Sequence, residues 1–265
     1  MKSILNLALL VGLGLSATAV QAQGCGNSVD PFPATGQTES YPAFTVGSPI
    51  AVNDDGAVRA GGALSYTGTG PTIIDNNTML EWEVLGQTSP SLTILEDGIG
   101  DIHDFRTRYW WSCPDTAGVP ACLTWISIWD KVGLMNAENG GVGYAGHNDW
   151  RVPNVKELQS IIDYSAFGPA VDSVFDNGSH TGVCDPNSTG CSFTDGPGRI
   201  NGESVGDPRH WSSTTASPAN NDSPGPNQAW AVSFGGGAVR FDGKRRTFHV
   251  RLVRGGCLPG APTGG

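Results

Sequence analysis

Apolar and polar positions repeat with two different periods along this chain, and each period predicts its own elements. Thr72-Ile73-Ile74 and Leu80-Glu81-Trp82-Glu83-Val84 have strand character, and Asp75-Asn76-Asn77 between them signals a hairpin turn. Trp125, Ile128, Trp129 and Val132 fall at helical spacing. They predict an amphipathic helix capped by Thr124, closed by Asn139-Gly140-Gly141, with both tryptophans in the core. Pro153 disfavours helical backbone at Val152, so the chain runs extended through Trp150 and Arg151. Asn154 then caps a second helix and Glu157 completes a capping box, while Val155, Leu158 and Ile162 line one face and Ile161 widens it. That helix is expected to reach Tyr164 and to stop before Gly168-Pro169. A large indole beside a capped helix suits a structural hub, with Trp150 buried and Arg151 paired near it. Further on, Trp230, Val232 and Phe234 alternate, Gly235-Gly236-Gly237 turns the chain, Ala238 to Phe241 forms a strand, and Asp242-Gly243 signals a hairpin. Phe248, Val250 and Leu252 then point one way, and His249 and Arg251 the other. The pattern is that of an α+β protein with two helices and a C-terminal antiparallel meander.

The remaining stretches are punctuation and loops. Lys2, an apolar run from Ile4 to Leu15 and small residues ending in Ala22 make residues 1–22 a secretory signal peptide, too short in its apolar part for a permanent span. No other stretch approaches transmembrane length, so the expected destination is outside the cytoplasm: periplasm, cell surface or medium. Residues 23–50, rich in Pro, Ser, Thr and Gly, read as an extended N-terminal arm, and 258–265 as a flexible tail. Asp54-Asp55-Gly56, Gly61-Gly62 and Gly68-Thr69-Gly70-Pro71 read as turns, and residues 170 to 210 as a long irregular loop. Six cysteines in an oxidising compartment suit disulfides, with Cys113–Cys122 and Cys184–Cys191 bracketing two short loops. Fifteen pairings are open, and sequence alone does not choose among them. No Cys-x-x-Cys pair is present to hold a metal.

Charge narrows the partners. The chain carries a formal −10, and −11 once Lys2 is gone, which argues against general binding to nucleic acid or anionic membrane. Two local clusters break the average. Glu96, Asp97, Asp101 and Asp104 fall within nine residues spaced by glycines, and Asp97, Asp101 and Asp104 are candidate oxygen ligands for Ca2+, although the spacing is not that of an EF-hand. The alternative is a solvated acidic turn whose charges meet Arg106 and Arg108. Six of the 14 basic residues left after Lys2 lie between Arg240 and Arg254, against one acid, Asp242. Lys244, Arg245 and Arg246 sit at the predicted hairpin, where they can meet sulfate or carboxylate groups or serve as plain surface charge.

Several motifs in order carry a resemblance. Asp149-Trp150-Arg151-Val152-Pro153 with Glu157-Leu158 resembles the signature of the Lcl C-terminal domain family, named for the C-terminal domain of a bacterial collagen-like adhesin. Asp75-Asn76-Asn77-Thr78 with Glu81-Trp82, Trp211-Ser212-Ser213-Thr214, and Val250-Arg251-Leu252-Val253-Arg254-Gly255-Gly256 fit the same family, with Met79-Leu80 standing where Gly-Leu is more usual. A similar Trp-Arg-Leu-Pro run occurs in formylglycine-generating-enzyme-like domains. The resemblance implies a C-type-lectin-like domain over 51–257, with long disulfide-clipped loops, Arg251 in a structural role, and Cys25 stapled to Cys257 because such folds bring their termini together. It also implies an exported, non-enzymatic binding module: a surface adhesin or carbohydrate-recognition protein, with glycan or surface polysaccharide as partner. Aromatic faces stack on sugar rings while polar and basic groups meet hydroxyl or acidic groups. The candidate contacts are Tyr109, Trp110, Trp111, Trp211, Asn227, Arg240, Lys244, Arg245 and Arg246. The adhesin that names the family recognises sulfated glycans through a basic domain, whereas this chain is acidic and has no collagen-like Gly-x-y region. The alternative is a structural or assembly component of a surface filament that binds another protein, with homo-oligomerisation open. A formylglycine-type enzyme needs paired cysteines near its end, and here Cys257 is the only cysteine after Cys191.

Overall fold

The computed structural model describes residues 33–40, 54–86, 101–105, 107–112, 115–116, 119–120, 126–166, 169–176, 209–216 and 227–256. All six cysteines, the proposed signal peptide and Asp97 lie outside them, as do Thr124 and Trp125.

A short helix, α1 (Asp55–Val58), stands where the sequence suggests only a turn. The Asp54 carboxylate accepts the Ala57 N–H at its start. Its Gly56 is buried against the arm, and a Cβ there would lie 1.8 Å from the Glu39 carbonyl oxygen, so only glycine lets the two backbones approach. The strands β1 (Tyr66–Gly68), β2 (Thr72–Asp75) and β3 (Leu80–Glu83) form an antiparallel meander. The turn between β2 and β3 is built on Asp75, whose buried carboxylate accepts the Asn77 N–H at 2.9 Å and the Thr78 hydroxyl at 2.6 Å. Met79 closes that turn with φ 56, a left-handed conformation that glycine adopts without strain.

Next come the short strands β4 (Tyr109–Trp110), β5 (Asp115–Thr116) and β6 (Val119–Pro120), then α2 (Ile128–Gly141). Helix α2 starts later than the sequence suggests. Its cap is Ser127, locked with Asp130 in a capping box, and its regular turns break at Glu138, Asn139 and Gly140. Its inward face is Ile128, Lys131 and Met135, all unexposed. Trp129 is 44% exposed, so the expectation of a core tryptophan there is wrong. The true stripe includes a lysine, which a search for apolar spacing skips. After a 3-10 turn at Tyr144–Gly146, helix α3 (Val155–Ser160) follows with the Asn154/Glu157 capping box in place. It ends at Ser160 rather than Tyr164, because the next amides bond elsewhere: Asp163 N–H to the Ala170 carbonyl and Tyr164 N–H to that of Thr35.

The C-terminal part holds β7 (Arg209–Thr215), β8 (Gln228–Ser233), β9 (Ala238–Gly243), β10 (Thr247–Phe248) and β11 (Val253–Gly255). Strands β7, β8 and β9 form one antiparallel sheet in that order. Asp242-Gly243 is not a hairpin between neighbours. Strand β9 runs through it, a turn closes with the Arg246 N–H on the Gly243 carbonyl at 2.9 Å, and β10 leaves to pair with β4. Strand β11 pairs with β3 and completes the four-stranded sheet β1-β2-β3-β11.

Two apolar cores result. One gathers Ile73, Leu80, Trp82, Leu158, Ile161, Ile162 and Phe175. The other gathers Tyr109, Ile128, Met135, Trp150, Trp211, Phe248, Val250 and Leu252. Strand β8 lies between them, giving Val232 to the first core and Ala229 and Ala231 to the second. Phe175, from the stretch read as irregular loop, fills the first core with a ring edge-on to Tyr66 and to Trp82.

Candidate functional site

Strand β4 sorts the aromatic run. Tyr109 points inward, and its hydroxyl donates to the Ile102 carbonyl. Trp211 is unexposed and donates its indole N–H to the Tyr109 carbonyl at 3.1 Å. Both rings are core, which removes Tyr109 and Trp211 from any ligand surface. Trp110 is half-buried on the same strand. Trp111 emerges at the edge, held by its indole N–H on the Ser212 carbonyl at 2.8 Å. Two indole N–H bonds thus fix β4 against β7, and the orientation of the Trp111 ring follows from them.

Around Trp111 a small surface assembles. Trp129 meets it edge-on, with ring centroids 5.2 Å apart and planes at 90°. The Lys244 ammonium sits 3.7 Å from the Trp111 ring centroid and donates to the Thr215 hydroxyl at 2.9 Å. Partial burial against these neighbours pushes the Lys244 ammonium below its ordinary value. Asn227, exposed, accepts the Lys244 backbone N–H through its carbonyl at 2.8 Å. Arg245 is exposed beside it, and the Arg246 side chain, 64% exposed, reaches Asp242 at 2.9 Å, which also takes Arg209. Arg240 is exposed on β9. The structure therefore brings Trp111, Lys244 and Asn227 together and adds Trp129 and Thr215. Sequence reasoning missed Trp129 by assigning it to the core, and it gave Thr215 no role. Phe241, 45% exposed, leans edge-on against Trp230 at 5.5 Å on the same sheet.

The acidic loop is partly described. Asp101 accepts the His103 N–H at 2.9 Å, and its backbone carbonyl takes the Thr107 hydroxyl and the Asp104 N–H. Asp104 is buried. Among the described residues no group of three His, Cys, Asp or Glu is placed to hold a metal ion.

Sequence reasoning missed a second cluster, in the interior. Glu83 and Lys131 are both unexposed, with Nζ 2.9 Å from Oε2. The Glu83 Oε2 also accepts the Leu252 N–H at 2.9 Å, and Oε1 lies 3.1 Å from His103 Nδ1. His103 Nε2 lies 2.7 Å from Glu138, and the Tyr144 ring stacks on the imidazole at 4.2 Å. Burial alone would raise the Glu83 carboxyl, but Lys131, His103 and the Leu252 N–H outweigh it and hold it below its ordinary value. For His103, burial works downward while Glu83 and Glu138 raise it further, so the imidazolium is favoured. Burial pushes the Lys131 ammonium down, and Glu83 offsets only part of that. Nearby, Arg251 is wholly buried, donates to the Glu83 backbone carbonyl at 2.5 Å, and is pushed down to about 10 by its burial. Period-two reading puts Glu81 and Glu83 on a solvent face, and the pattern has no signal for a strand covered on both sides.

The hub residues are built together. Trp150 is buried with its indole N–H on the Tyr144 carbonyl at 3.0 Å, and Arg151 holds Glu157 through two hydrogen bonds. Gly202-Glu203-Ser204-Val205-Gly206 has the spacing of a nucleophile elbow. It lies outside the described residues, and the polar residues before it lack the apolar run of the strand such an elbow needs.

Antiparallel strands with few helices define a mixed α+β domain, and an aromatic-basic patch lies on its surface. The chain belongs to the Lcl C-terminal domain family, whose model matches residues 71–254. Membership points to a surface-associated, adhesin-like domain. No curated protein and no solved structure is a match for the chain. Among the described residues no helix is long and apolar enough to cross a membrane.

Proposed function

We propose that this protein is an exported, non-enzymatic carbohydrate-recognition module of C-type-lectin-like design, and that it reads sugar at Trp111, Trp129 and Lys244. The observation that carries this reading is the exposed Trp129 ring, fixed at a right angle to a second indole whose face holds a cation. A flat apolar ring open to water suits the C–H face of a pyranose. Thr215, Asn227 and Lys244 beside it supply donors and acceptors for hydroxyl groups, and Arg245 and Arg246 extend the patch toward acidic substituents. The net charge of −10 keeps this basic patch local, so acidic sugars would bind through a few contacts rather than a broad field.

The test is a glycan array with the mature chain in calcium, in chelator, and at raised salt, repeated with Trp129→Ala and Lys244→Ala. Trp129→Ala should weaken binding at least about tenfold, on the scale of one lost aromatic stacking contact, with an unchanged melting temperature. Loss with Lys244→Ala and with salt would identify an acidic polysaccharide, and loss in chelator would bring in the loop of Asp97, Asp101 and Asp104. Binding untouched by Trp129→Ala would sink this site. Absence of any glycan, with a protein captured instead, would favour the assembly role.

A further inference from the structure

The interior cluster on Glu83 gathers on one carboxyl group the amine, the N–H donor and the acid that an amide-forming reaction requires. Lys131 reaches the carboxyl from α2 with Nζ 2.9 Å from Oε2, and its ammonium also donates to the Val250 carbonyl at 3.1 Å, which fixes where the nitrogen points. The Leu252 N–H, donating to the same Oε2, stands where negative charge builds when a nucleophile adds to the carboxyl carbon. His103 holds the other oxygen, Oε1, through Nδ1 and is itself oriented by Glu138 through Nε2. Nucleophile and oxyanion donor thus meet at one oxygen of the carboxyl group and the acid at the other, in a site with no exposure at Glu83 or Lys131.

We propose that Lys131 and Glu83 join covalently, forming an amide between Nζ and the Glu83 side-chain carbonyl carbon with loss of one water. The ammonium first gives up a proton to the carboxylate, leaving an amine and a carboxylic acid that carries its proton on Oε1, the oxygen facing His103. The amine nitrogen attacks the carboxyl carbon while Oε2 takes the negative charge against the Leu252 N–H. The bond from carbon to Oε1 then breaks as His103 protonates that oxygen, and water leaves. The attacking nitrogen returns a proton to His103. Ammonium plus carboxylate becomes amide plus water, so atoms and charge balance without an oxidant or a second reactant. Oε2 remains as the amide oxygen and keeps its bond to Leu252. Holding the partners in contact removes the entropic part of the barrier. Two charges kept out of water at a standing desolvation cost are exchanged for one neutral group, which drives the change forward. Helix α2 is thereby tied to β3 by a bond between residues far apart in sequence.

Mass spectrometry of the mature, reduced and protease-digested protein tests this, in fresh and in aged preparations. The expected species is a branched peptide joining the segments around residues 83 and 131, lighter by one water than its two parts together. Lys131→Met and Glu83→Ala should yield only linear peptides. Glu83→Gln should give the same branched mass, with ammonia as the leaving group. His103→Gln should slow the appearance of the branch, which a merely structural pair would not show. Linear peptides of full mass at both positions in the wild-type chain, fresh and aged, overturn the proposal, whatever the variants do.

Discussion

At the level of single residues, Met79 is the clearest misfit. It takes the left-handed turn position with φ 56, and its side chain is 37% exposed, so it gives up little packing for the strain it bears. Met79→Gly should stabilise the fold by about 1 kcal/mol in urea unfolding, the left-handed penalty of about 1–2 kcal/mol less the roughly 0.5–1 kcal/mol that glycine's extra unfolded freedom takes back. No change, or a loss, would mean the turn tolerates the side chain without strain. The strain itself is invisible in the sequence, which shows only a methionine where the resemblance implies glycine. His103 makes a pH-dependent contribution while Glu83 is ionised. Its value is raised in the fold above the ordinary 6.5, so the stabilisation is complete below that and is lost as pH rises through the folded value. In chains where Glu83 and Lys131 are not joined, Glu83 acts in the opposite sense: its lowered carboxyl stabilises above the ordinary 4.5 and loses that contribution as pH falls through its folded value. Unfolding free energy measured across pH should therefore fall on the alkaline side of the histidine range, and His103→Gln should flatten that limb. An unchanged limb in the variant would remove His103 from the account.

At the level of elements, α3 shows how much of a short helix lies in its first residues. Six residues make a poor helix alone, so cap and packing must hold it. Asn154→Ala should cost about 1 kcal/mol, the usual value of a lost side-chain cap, and Glu157→Ala should cost more because it also releases Arg151. Equal losses in chemical denaturation would show that the Arg151 pair contributes nothing. This element was legible because capping is chemistry written in adjacent residues. Helix α2 was only half legible. Its inward face includes Lys131, whose burial depends on a carboxylate 48 positions earlier in the chain, and no local pattern contains that. The same limit explains Trp129: the stripe drawn through Ile128, Trp129 and Val132 lies about one position away from the buried one, Ile128, Lys131 and Met135.

Across the whole molecule, strand existence was easier to read than strand partnership. The runs around Ile73, Trp82 and Val232 announce themselves by alternation, yet nothing local says that β11 closes the sheet beside β3 or that β10 deserts β9 for β4. The patch at Trp111 has the same character, since it draws on β4, α2, β7 and the turn after β9. Its members Lys244 and Trp111 are legible in the sequence as candidate contacts, whereas Trp129 reads there as a core residue. One feature of the architecture reaches further. Because β8 gives one face to each core, neither half of the domain can open while keeping its apolar contacts intact. Partial opening should therefore be rare, and the Ala231 and Val232 amides should exchange hydrogen for deuterium only through complete unfolding, at a rate that tracks global stability. A protein facing the outside world would then shed its loops to proteases long before it surrendered its centre.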